Sequence, residues 1–99
     1  MVVIAMWLGI LLTAALASTN THGYVGVQTA GHSIHYVSKV GPAYKAGIRS
    51  GDRVLLINGR KKGEIDGTVG VPVRLFIKHG KTAFEVEIER VTHSEAFGD

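Results

Sequence analysis

The chain has 99 residues, enough for one domain. It has no cysteine, so neither a disulfide framework nor a thiolate metal site is open to it. Eleven Lys and Arg against eight Asp and Glu give a formal net charge of +3, and the only tight basic cluster is Arg60-Lys61-Lys62. A nucleic-acid surface needs a larger basic footprint with aromatic residues among it, so no nucleic-acid partner is expected and the triplet reads as a solvated turn.

The first segment, MVVIAMWLGILLTAALA, carries no charged side chain. Ala15 and Ala17 stand where a signal peptidase requires small residues, which predicts a signal peptide over residues 1–17 and a mature start at Ser18. The competing reading is a retained membrane anchor. Seventeen helical residues span about 25 Å at about 1.5 Å each, against about 30 Å of bilayer hydrocarbon. Either reading predicts export: periplasmic, secreted, or anchored and facing outward. Residues 18–22 read as a short linker.

Residues 23–27, Gly-Tyr-Val-Gly-Val, set apolar side chains between two glycines. Consecutive backbone N–H groups in such a stretch can form an anion-binding nest, and glycine permits close approach. The same stretch is also compatible with an ordinary first strand that has glycines at its turn. His32 to Val40 is predicted as a strand with Ile34, Tyr36 and Val40 on one face. Gly41-Pro42 then breaks it, and Pro42 suits the first position of a helix. Ala43 to Ala46 provides about one turn. Gly47 is where the chain would end that helix in a left-handed conformation, and Ile48 is placed to fold back onto it.

After a turn at Arg49-Ser50-Gly51-Asp52, Val54-Leu55-Leu56-Ile57 reads as a strand covered on both faces. Asn58-Gly59 is a tight-turn signal. The following stretch, RKKGEIDGT, is short and carries two glycines, each costing about 1 kcal/mol relative to Ala in a helix; a helix of two or three turns is not expected there. Val71, Val73, Leu75 and Ile77 alternate with Pro72, Arg74, Phe76 and Lys78. Phe84, Val86 and Ile88 alternate with Glu85, Glu87 and Glu89, a half-buried strand with an acidic outer face. KHGKT joins these two strands as a hairpin, and Pro72 places its strand at an edge or at its own first residue. Residues 92–99 read as a flexible tail. The predicted fold is mainly β with one short helix, a small, partly open antiparallel barrel.

Catalytic and metal signals are weak. HGKT at 79–82 lacks the first glycine of a phosphate loop, because Leu75 stands at that position. His32 and His35 would face opposite sides of a strand. No Gly-x-Ser-x-Gly elbow occurs. No enzyme activity, cofactor or metal is expected.

VSKVGPAYKAGIRSGDRVLLINGR, residues 37–60, resembles the central signature of PDZ domains: a strand, a small helix ending Ala-Gly-Ile, then Gly-Asp, an apolar strand and Asn-Gly. Upstream, GYVGV is similar to that family's carboxylate-binding loop, and VGVPVRLFIKHG resembles the strand after its second helix. The likeness covers residues 23–91, with the bacterial arrangement of a closing C-terminal strand. It implies a peptide-carboxylate site built from Gly23, Tyr24, Val25, Gly26 and Val27. In it Val25, Gly26 and Val27 are the N–H donors, and Tyr24 and Val27 flank an apolar pocket. The peptide would pair with the strand through Gln28. The family's second, groove-forming helix has no room here, which leaves Ile65 as the substitute wall. The partners implied are protein or peptide C-termini, with a protease or membrane complex acting in trans as a further partner. The alternative is a degenerate PDZ domain that serves assembly or structure and meets a partner protein or membrane complex without capturing C-termini.

Overall fold

Pro42 and Gly47 bracket the shortest helix this chain can make. The computed structural model describes residues 22–98, so the leader at 1–17 and the start at Ser18 lie outside the described residues. Gly41 caps the helix from an extended conformation, Pro42 stands in its first turn, and α1 runs Pro42–Lys45. Gly47 has φ of 100°. Its N–H donates to the Tyr44 carbonyl at 3.0 Å, and the Ile48 N–H donates to the Ala43 carbonyl at 3.1 Å. These two bonds make a Schellman motif, and Ile48 is fully buried.

The strands are β1 (His22–Gly23), β2 (Val27–Ala30), β3 (Ser33–Val37), β4 (Arg53–Ile57), β5 (Gly67–Thr68), β6 (Pro72–His79) and β7 (Thr82–Glu89). Five form one sheet in the order β2-β3-β4-β6-β7, and β1 pairs with β5 in a second. All pairings are antiparallel. The described residues are therefore mainly β, with the two sheets left open rather than closed into a barrel.

Strands β6 and β7 follow the period-2 reading. Val73, Leu75, Ile77 and Ile88 are buried, and the glutamates of β7 are exposed. Burying each such aliphatic side chain contributes about 1.5–3 kcal/mol. Pro72 is the first residue of its strand, where a missing N–H costs least.

Strand β3 departs from the expectation. Gln28 pairs with Tyr36 and Thr29 with Ile34, so His35 is an extra residue in β3. This bulge resets the alternation. Ile34 and Val37 face the core, while Tyr36 is 48% and Val40 53% exposed. The Ser50 hydroxyl donates to the His35 carbonyl at 2.7 Å, occupying the acceptor the bulge displaces. A second bulge leaves Leu55 between the pairs Val54–Ile77 and Leu56–Phe76. Val54 and Ile57 are buried, whereas Leu55 and Leu56 are half-buried.

The segment expected to be a tail carries a second helix, α2 (His93–Phe97). Thr92 and Glu95 form a reciprocal capping box, and Ala96 is fully buried. The pattern Thr-x-x-Glu was present in the sequence; the helix was missed because its apolar face is only one turn long. Among the described residues no helix is long and apolar enough to cross a membrane.

Candidate peptide groove

The outer side of β2 is the edge of the five-stranded sheet. Facing it is the stretch 60–66, which contains no helix. Between them lies a groove of about 360 Å³. Val27 and Thr29 of β2 form one side, Val54 and Ile57 lie in it, and Ile65 and Asp66 stand opposite. Lys61, Lys62 and His32 also border it, with Glu64 among them.

Arg90 holds the opposing wall. It is 8% exposed. Its Nε donates to the Ile65 carbonyl at 2.8 Å and its Nη2 to the Glu64 carbonyl at 3.0 Å. The backbone of β1 and β5 closes over it: a Cβ on Gly67 would lie 2.8 Å from the Arg90 Cζ, and one on Gly23 2.9 Å from the Arg90 Cβ. Carbonyl groups that would otherwise need a helix ladder are thus satisfied by one buried guanidinium. The sequence held a signal for this residue, since 84, 86, 88 and 90 share the inward parity of β7.

The residues of the expected carboxylate loop separate into two sets. Gly23 lies in β1 opposite Gly67. Tyr24 exchanges both backbone hydrogen bonds with Val91, at 2.8 and 2.9 Å. Its ring is not at the groove: it meets His22, His93 and Phe97 edge-on, with centroids 4.7, 5.0 and 6.0 Å away. The expectation that Tyr24 flanks the pocket is therefore corrected. The helix α2, unseen in the sequence, supplies the aromatic partners that draw the ring away.

Val25 is fully buried, and its carbonyl accepts from the Ala43 N–H at 3.0 Å. Gly26 has φ of 90°, and its carbonyl accepts from the Ser38 N–H at 2.8 Å. Val27 begins β2 and lines the groove. Gln28 is exposed and does not line it, because strand alternation gives Val27 and Thr29 that face. Ile65 is half-buried against the core and lines the groove.

Asp66 was missed by sequence reasoning. It is half-buried and lines the groove beside Ile65. Burial pushes its pKa above the ordinary carboxylate value, and nearby Glu64 adds to the rise; His22, the Val25 N–H and Arg90 offset part of it. No signal in a Glu-Ile-Asp-Gly stretch marks this placement, which arises only when 60–66 folds back to face β2.

No family model matches the chain, and comparison with curated proteins finds no match. Among solved structures, the fold is similar to part of the serine endoprotease from Yersinia pestis, with a TM-score of 0.63 and 21% identity. The match covers 89% of this chain and 35% of that one, so the chain spans well under half of the protease it resembles. At this identity the likeness is one of fold.

Proposed function

We propose that the chain is a non-enzymatic, PDZ-like protein-binding module of an exported protein, which takes up peptide or protein C-termini as an added strand along β2. The observation that carries this reading is the coincidence of three features in one groove. A sheet edge is open at β2, an apolar lining runs through Val27, Val54, Ile57 and Ile65, and Val27, the last residue of the loop at 23–27, stands in that lining. Main-chain pairing would supply affinity, and the apolar pocket would select the last side chain. The fold shared with part of a serine endoprotease supports a protease or membrane complex as the partner in trans.

With an irregular segment in place of a second helix, one wall of the groove is reduced. Affinity should be weak, of order 10 μM to 1 mM, or about −7 to −4 kcal/mol. A hexapeptide ending in Val is titrated as free acid and as C-terminal amide into the full chain, followed by NMR. The free acid should bind more tightly and shift residues 23–28 and 61–66. Equal binding of both forms, or shifts elsewhere, would overturn the reading. The irregular wall at 60–66 favours the second reading, an assembly domain that contacts its partner without capturing C-termini, and that outcome would leave it standing.

A further inference from the structure

We infer that the groove reads the order of charges in an incoming C-terminus: it takes acidic side chains three to five residues before the last and disfavours them next to the last. The inference rests on the proposed peptide-binding reading and names the ligand class of that same site, an extended C-terminal segment of a partner protein with acidic residues upstream.

Three observations converge. The first is that the facing wall changes sign along its length. Lys61 and Lys62 border the groove together with Gly31 and His32 of the β2–β3 turn. A second hollow, which shares His32, Val54 and Lys61 with the groove, continues to Arg53 and Leu55. Glu64 and Asp66 border the remaining stretch. The residue after Asp66, Gly67, pairs with Gly23 at the start of the loop. The basic groups therefore stand at the β2–β3 turn and the acidic groups toward the loop.

The second observation is that the basic groups are unengaged. Among the described residues the ion pairs are Arg74 with Glu85 and His79 with Asp52. Arg53, Lys61 and Lys62 are exposed and have no such partner.

The third is direction. A peptide whose last residue sits at the loop, where β2 begins, must run antiparallel to β2. Followed back from its end it passes Val27, then Thr29, then the β2–β3 turn. At about 3.4 Å per residue, four residues cover about 14 Å. The positions three to five before the last thus reach His32, Arg53 and Lys61, while those next to the last lie toward Glu64 and Asp66. One exposed ion pair contributes little by itself. The change of sign adds discrimination, because the wrong order meets like charges at both ends of the wall.

The test uses two octapeptides of identical composition, both free acids ending in Val, titrated into the full chain at pH 7.5 and low salt. One carries Glu at the fourth and fifth positions before the last and Lys at the first and second. The other has the two pairs exchanged. The first should bind about tenfold more tightly, and the ratio should contract in 0.5 M NaCl. In the double variant Lys61→Ala, Lys62→Ala the ratio should fall to about threefold or less. Lys81→Ala, at the exposed tip of the β6–β7 hairpin, lowers the net charge elsewhere and should leave the ratio as in the parent. Melting curves confirm that each variant is folded. Equal binding of the two octapeptides, a reversed preference, or a ratio that survives loss of both lysines overturns the inference while leaving peptide capture intact. A ratio cut as deeply by Lys81→Ala does the same, as does failure of both octapeptides while the Val-ended hexapeptide binds. Failure of all three peptides to bind overturns both readings.

Discussion

The carbonyl oxygen of Ala96 lies against Gly26: a Cβ on that glycine would stand 2.8 Å from it. Gly41 meets the same oxygen, at 2.5 Å from an ideal Cβ. The C-terminal helix α2 thus rests its backbone on the two glycines that flank the back of the loop. Gly26→Ala combines this close approach with φ of 90°. It should destabilise by about 2 kcal/mol or more and perturb the Val25 and Val27 amides. A denaturation midpoint within error of the parent would show that α2 does not press on the loop.

Gly47 offers the opposite case. Nothing lies within 4 Å of a Cβ built there, so its φ of 100° is the whole cost of a side chain. Gly47→Val should lose more than ~1 kcal/mol, because a β-branched residue tolerates positive φ poorly. Gly47→Asn should lose less, since Asn enters the left-handed region more readily. Urea titration of both variants checks the order; identical midpoints would contradict the assignment of the helix end.

Asp66 gives a pH-dependent stability with a definite sign. Its pKa is raised in the folded chain above the ordinary 3.8, mainly by burial. The folded state therefore binds the proton more tightly than the unfolded state. Its contribution to stability is fully present below the ordinary value and is lost as pH rises through the folded one. Asp66→Asn, which removes the half-buried charge, should melt at a higher temperature than the parent at pH 7. That advantage should vanish near pH 3. An advantage constant across the range would place the effect elsewhere.

Asp52 is buried at 2% exposure beside the start of β4. Its Oδ2 accepts from the Arg49 N–H at 2.9 Å, and its Oδ1 meets the His79 Nδ1 at the end of β6. One carboxyl therefore ties the turn after α1 to the β6–β7 hairpin. Asp52→Ala should cost about 2 kcal/mol, the loss of hydrogen bonds to a charged group. A double-mutant cycle with His79→Ala should show coupling. Additive losses would mean that the two side chains do not act together.

Short-range chemistry alone determined α1, the tight turns and the long hairpin. Pro42 and Gly47 act on their own backbone angles, and the alternation from Phe84 to Glu89 needs only one buried face. The sequence also excluded a groove helix over 60–66, because glycine and length act locally. The tertiary structure decided what depends on extra residues and distant partners. His35 and Leu55 are inserted against their neighbours' registers, and a single inserted residue reverses every inward and outward assignment after it. Tyr24 turned to α2 because aromatic partners from the far end of the chain were there to meet it. Arg90 and Asp66 became parts of the site for the same reason: both lie far from the loop in sequence, and folding set Asp66 in the groove lining while the Arg90 guanidinium satisfied two backbone carbonyls of the facing wall.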